Sequence, residues 1–327
     1  MNMLVIGEAL IDVIYDSHGT KLGHYPGGSP LNVAVGLSRL GRETAFLTRI
    51  GNDMPGNMII SHLHSSRVIL MDGSRSNEPT SMAYATVNEQ GNASYEFDIR
   101  SSFPPPPQDT AAAQLMLADP PRHVHIGSLG AHVMPGAATV REWIDFYHPL
   151  STISYDPNVR LGICGTAEDY CRQIEEYATI VDVFKASVED LELCYGSLTP
   201  TRVRHLVDHY MNLGVAIVVI TNGAQGLDLY TADYSIHVDA LHVPIVDSVG
   251  AGDSLMSALI DGLARISVLG REDIGRIHQQ SASTLTSLGT YAATAAAITL
   301  TRSGANPPTR REIAAHSESY AVEGSLF

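Results

Sequence analysis

Cysteine is scarce in this chain. Only Cys164, Cys171 and Cys194 occur in 327 residues, and none forms a CxxC pair. An odd count without framework spacing excludes a disulfide scaffold and a cysteine-built zinc module; it points to free thiols in a reducing cytoplasm. Positive charge is also short. The 20 Lys and Arg residues face 35 Asp and Glu, a formal net charge of −15, which argues against nucleic acid or an anionic membrane as partner. No apolar run approaches the ~20 residues of a membrane span. The opening residues 1–7 reach Glu8 and Asp12 too early for a signal peptide, so they are expected to form a first buried strand. Neither a GxxxxGKS/T loop nor an HExxH pair occurs, which removes Walker-type phosphate loops and the zinc proteases built on that motif. His62-x-His64, His123-x-His125 and His205-xxx-His209 have ligand-like spacing but no metal-binding partners, so they are read as core or surface histidines.

What is present is a chain 44% hydrophobic and 17% charged, enough for one large or two small domains. Apolar runs near 4–6, 44–50, 123–126, 179–184 and 215–221 look like strands buried on both faces, with helical patterns between several of them, such as 31–40 ending at Gly41. That alternation predicts an α/β fold with a largely parallel sheet covered by helices. Residues 80–99 instead read as a hairpin turning at 88–91, and 12–25 as extended chain turning at His18-Gly19. A small β flap on an α/β body follows, with Pro104 to Pro107 as a stiff return and the last ten residues as a loose polar tail. The segment Asn92-Ala93-Ser94 matches a glycosylation sequon, without consequence in a cytoplasmic chain.

The densest chemical signal is "PIVDSVGAGDSLMSALIDGLA", residues 244–264. It predicts a strand over 243–246, then Gly250-Ala251-Gly252-Asp253, then a helix carrying Leu255, Leu259 and Leu263 on one face. Glycines at a helix start let phosphate oxygens reach unpaired N–H groups. A carboxylate at that place repels an anion unless it has a task, such as taking a proton from an attacking hydroxyl. The alternative is structural: Asp253 caps the helix and the glycines make a tight turn.

At the other end stands "GGSPLNVAVGLSRLG", residues 27–41. Together "GGSPLNVA" and "DSVGAGDS" closely resemble the paired signatures of the ribokinase-like (PfkB) carbohydrate kinases. The resemblance runs nearly end to end through "TRIGNDMPGN", "DPNVR", "FKASVEDLELCYG", "ITNGAQG" and "TRSGANPPTRREI", and is strongest to the fructokinase branch. It implies one doubly wound, mostly parallel α/β domain over residues 1–327, with lid segments at about 12–25 and 79–100. A sugar would lie between body and lid, and ATP with Mg²⁺ along the C-terminal half.

Carried over by position, Asp253 would be the base, and the backbone of Gly250, Ala251 and Gly252 the anion hole. Asp12, Gly28 and Asn32 would hold sugar hydroxyls, Arg100 would lie near the sugar, and Asn158 and Arg160 toward the phosphates. Ser187, Asn222, Gly223, Gly226 and Asn306 would border the nucleotide. The family's NxxE motif reads Ser187-Val188-Glu189-Asp190 here, so Asp190 would meet magnesium through water. Asp247 and the Val249 carbonyl match a potassium site of some relatives, although Pro308 replaces a serine that often contacts the cation there. Ser29 stands where ribokinase-like sequences often have lysine, which argues against ribose. The resemblance favours a sugar kinase acting on fructose. 2-Keto-3-deoxygluconate, ribose or a nucleoside are the alternatives, and a sugar sensor without catalysis is a third reading. Lid strands expose an apolar face, so a homodimer through the lids is expected.

Overall fold

The run Met3–Ile6 is buried at every position, so it needs cover on both faces of its sheet. The computed structural model, which describes residues 2–88 and 93–319, provides that cover. Among the described residues a nine-stranded sheet runs in the order Ser235–Val238, Leu227–Tyr230, Ile217–Thr221, Val183–Ser187, Thr152–Asp156, His123–Gly127, Met3–Ile6, Thr44–Leu47, Ile69–Leu70. Seven strands, from Ile217–Thr221 to Ile69–Leu70, pair in parallel, and the two at the other end are antiparallel.

From Met3–Ile6 the chain builds outward to one side, then returns to lay His123–Gly127 against the other. Two neighbouring strands whose connections leave in opposite directions open a crevice beyond their carboxyl ends. Gly7-Glu8 and Gly127-Ser128 sit at that point.

Helices Ser29–Arg39, Ala251–Arg265 and Ala282–Leu300 cover one face; Gly136–Tyr147, Ala167–Ala178 and Pro200–Leu213 cover the other. The helix Ala251–Arg265 buries Leu255, Met256, Leu259, Ile260 and Leu263, each worth ~1.5–3 kcal/mol when fully taken from water. That packing holds its N-terminus at the crevice.

A separate four-stranded sheet, in the order Lys21–Gly27, Leu10–Tyr15, Ser81–Val87, Ala93–Asp98, is the flap read from the sequence. Its first turn is built on Asp16, whose carboxylate accepts the N–H groups of His18 and Thr20. Most of the predicted turn at 88–91, the sequon asparagine and most of the polar tail fall outside the described residues.

Three strand expectations need correction. Residues 179–182 are the end of helix Ala167–Ala178 and a loop, and the strand begins only at Val183. Thr48 and Arg49 interrupt the run 44–50, leaving Thr44–Leu47 in the main sheet and Ile50–Gly51 paired with Arg75–Ser76. Residues 243–246 are not a strand at all. Pro244 has no N–H for a ladder, and Ile245 and Val246 are 70% and 65% exposed. The glycine pair therefore follows a surface loop.

Candidate active site

Gly28 precedes the helix Ser29–Arg39 at φ 112, and a Cβ there would stand 2.7 Å from the Glu8 carbonyl oxygen. Only glycine fits, and its turn puts Ser29 and Asn32 on the first helical turn, at the crevice. Ser29 Oγ donates to Asp253 Oδ1 at 2.6 Å, and Asn32 Nδ2 donates to Asp253 Oδ2 at 2.8 Å. Both oxygens of Asp253 thus receive side-chain donors from the other end of the chain. No side chain caps the helix Ala251–Arg265.

Gly250 begins that helix at φ 77, with Ala305 Cα 2.8 Å from where its Cβ would be. Among the described residues, no protein acceptor meets the N–H groups of Gly252 and Asp253. An open helix start with free N–H groups and a partial positive charge is a ready anion site.

Three further carboxylates surround this point. Asp156 ends the strand Thr152–Asp156 and pairs with Lys185 Nζ at 2.7 Å. Burial pushes the Asp156 carboxyl up to about 6, with Lys185 pulling the other way and Asp190 and Asp253 adding to the rise. Burial alone would lower Lys185, but Asp156 together with Asp190 and Asp253 outweighs it, and the ammonium is held above its ordinary range. Asp190 accepts the Val159 N–H at 2.8 Å through Oδ1 and the Ser187 hydroxyl at 2.6 Å through Oδ2.

Glu8 is the third. It accepts the Gly130 N–H at 2.7 Å. Burial raises it to about 7 against the pull of that bond. A folded-state value above the unfolded 4.5 means the neutral form favours folding, a contribution complete below the unfolded value and lost as pH rises through about 7. Glu8→Gln keeps an acceptor for Gly130 without the charge. Its stability by urea denaturation is expected to match wild type near about pH 4 and to exceed it by on the order of 3 kcal/mol near about pH 8. A gap that does not widen with pH would refute the assignment.

Asp12, on the lid strand Leu10–Tyr15, is raised to about 6 by burial. A Cβ on Gly27 would meet its Oδ2 at 2.0 Å, so Gly27 is what leaves room for it. Among the described residues no protein donor satisfies this carboxylate. Asn158, at φ 41, donates from Nδ2 to Ser128 Oγ at 3.2 Å across the ends of two strands. Arg160 is exposed, its guanidinium on the Val159 carbonyl.

The remaining predicted residues make no direct contact with this cluster. Arg100 lies two residues beyond the strand Ala93–Asp98 and pairs with Asp98. Gly223 is in left-handed backbone at φ 48 with open space beside it, and Asn222 precedes it without capping a helix. A Cβ on Gly226 would hit the Val238 carbonyl oxygen at 2.1 Å, so the strand packing by itself requires that glycine. Asn306 accepts Arg39 Nη1 at 2.5 Å. Asp247 accepts the N–H groups of Val249 and Gly304 at 3.0 and 2.8 Å, so its carboxylate braces the loop before Gly250.

Sequence reading did not single out Ser29, Glu8, Asp156 or Lys185 as parts of the site. Lys185 carried a visible signal: a lone charge inside the strand VFKAS, whose other apolar positions are all buried.

A switch-point crevice, a carboxylate at an uncapped helix start and a flap beside it are the parts of a small-molecule phosphotransferase. The model of the pfkB family carbohydrate kinases matches residues 2–311, and the chain belongs to that family. It is a sugar kinase. Among curated relatives it is 30% identical over 290 residues to a fructokinase of Rhizobium leguminosarum bv. trifolii, covering 85% of each chain. A fructokinase of Xylella fastidiosa solved with bound ATP has a TM-score of 0.83 at 21% identity, covering 98% of this chain and 99% of that one. A fructokinase double mutant of Vibrio cholerae O395, in a form with fructose, ADP and potassium ion, has a TM-score of 0.74 at 23% identity, covering 96% and 98%.

Proposed function

We propose that this enzyme transfers the γ-phosphoryl group of ATP to a hydroxyl of fructose, giving fructose 6-phosphate. The observation that carries the reading is Asp253, gripped through both oxygens by Ser29 and Asn32 beside free helix N–H groups. Curated fructokinases at 30% identity support the choice of sugar. Asp253 takes the proton of the attacking hydroxyl. The backbone N–H groups of Gly250, Ala251 and Gly252, the last with no protein acceptor among the described residues, receive the charge on the phosphoryl oxygens. Asp12, a lid carboxylate with no protein donor among the described residues, accepts from the remaining sugar hydroxyls, and Asn32 donates to them. Lid closure over the sugar keeps water from competing for the phosphoryl group.

Magnesium bound with the triphosphate would neutralise part of its charge, with Asp190 as the carboxylate nearest in role. Among the described residues no group of three or more His, Cys, Asp or Glu forms a metal site, and both oxygens of Asp190 are engaged by the protein. That fits a carboxylate that meets the ion through water. Asp247 and the Val249 carbonyl are the proposed potassium contacts. The lid's outer strand exposes Leu22 and Tyr25 at 60% and 56%, which supports a two-fold dimer through the lids, read out by sedimentation.

ADP release, measured with fructose, 2-keto-3-deoxygluconate, ribose and a nucleoside in parallel, tests the proposal. Fructose should give the highest kcat/KM; a higher value for any other member reassigns the substrate, and no release with any of them removes catalysis. Within this reading Arg100 swings to the sugar when the lid closes, exchanging its Asp98 partner for the substrate. Arg100→Ala should then raise KM for the sugar by about tenfold and leave KM for ATP near wild type. An unchanged sugar KM and kcat returns Arg100 to its surface pair.

A further inference from the structure

A strand buried on both faces tolerates lysine poorly, yet the side chain of Lys185 is only 6% exposed. Its pair with Asp156 does not explain it as a stabilising device. Taking both ions from water costs several kcal/mol each, which their attraction at best returns, and an apolar pair would serve the core as well. Location is more informative. An ideal Cβ on Gly252 would stand 3.2 Å from Lys185 Nζ, and no other atom outside the local backbone lies within 4 Å of it. Gly252 itself is exposed. The missing side chain is therefore an opening between a buried ammonium and solvent, at the first turn of an uncapped helix. The positive end of that helix dipole repels a cation placed beside it. Two positive features meeting at one small opening favour an anion in it.

We propose that Lys185 is a catalytic residue: through the gap at Gly252 its Nζ donates to an oxygen of the phosphoryl group during transfer, and Asp156 is the positioning residue that aims it. The inference rests on the kinase reading and adds a side-chain cation to what would otherwise be a backbone anion hole. In the step, the sugar oxygen forms a bond to the γ-phosphorus as its proton passes to Asp253. The bond from that phosphorus to the bridging oxygen breaks, and ADP leaves with the electron pair. Lys185 keeps its proton throughout.

Lys185→Met alone strands the Asp156 charge in the interior and endangers folding. The paired variant Asp156→Asn/Lys185→Met removes both charges and is the informative one. Its melting temperature should lie near wild type, while kcat falls by ~10²-fold or more, as on removal of an anion-hole donor. Calorimetry gives a second readout, using ADP alone and ADP with aluminium fluoride, each with magnesium and a sugar that supports ADP release in wild type. Affinity for ADP alone should stay within about threefold, and affinity for the fluoride complex should fall by ~10²-fold.

Gly252→Ala, which puts a methyl group in the gap, should reproduce the loss at a smaller scale, about tenfold. If the paired variant does not fold, Gly252→Ala decides alone by the same two measurements. Wild-type kcat and wild-type affinity for the fluoride complex, in whichever folded variant is read, overturn the proposal. So does an equal loss of both affinities, which would make Lys185 a general support of the nucleotide site. Failure of the kinase reading is separate, since wild type would then release no ADP with any sugar.

Discussion

Asp253→Asn is expected to lower kcat by at least ~10²-fold while fold and sugar affinity stay near wild type. The geometry makes the substitution unusually clean. Asn32 Nδ2 donates to one carboxylate oxygen and Ser29 Oγ to the other. An amide in that place can still accept from Asn32, and its NH₂ can donate to the Ser29 hydroxyl once that rotor turns. Shape and hydrogen bonding survive; only the capacity to take a proton is lost. The measurements are kcat, sugar binding by calorimetry, and thermal unfolding. Near-normal turnover in a folded variant would remove Asp253 from the role of base.

The second large effect separates two adjacent glycines. Gly252→Val should cost kcat ~10²-fold or more with a stability loss under about 1 kcal/mol, because valine suits ordinary helical backbone but crowds the phosphoryl and Lys185. Gly250→Val should do the reverse. It forces a β-branched side chain into left-handed backbone at φ 77 and against Ala305 Cα at 2.8 Å, so global stability should fall by more than about 2 kcal/mol. Urea denaturation and steady-state kinetics on both variants check this. If Gly252→Val loses stability in step with activity, its glycine serves packing; if its activity is intact, the anion hole lies elsewhere.

The sequence was most legible where physics is local. Short apolar runs buried on both faces, with helical patterns between them, read correctly as a parallel α/β body, and one alternating hairpin with one extended segment read as the flap. The approach to Gly250 did not. Val243 to Val246 has strand-like composition, but Pro244 has no N–H for a ladder and the segment pairs with no strand of the described residues, which leaves it an exposed loop. Composition cannot report whether a partner edge is free.

The site itself divided in the same way. Asp253 and Asn32 stood out because glycines mark them. Lys185 and Asp156 did not, because a residue's meaning there comes from a contact between strands 29 positions apart in the chain. Ser29 was weighed only for what it replaced, whereas its hydroxyl is one of the two side-chain donors to Asp253.

The partners that hold Asp253 lie 224 and 221 positions before it in the chain. In the proposed mechanism the segment that carries Ser29 and Asn32 is therefore made long before the base Asp253, and a chain that stops short of residue 253 is expected to be inactive. Closing so long a loop is slow and comes late in folding, which ties the appearance of activity to completion of the whole sheet. The same separation makes the exposed loop around Ile245 a natural place to divide the protein. Two inert fragments cut there would regain turnover only on reassociation, turning catalysis into a reporter of their encounter.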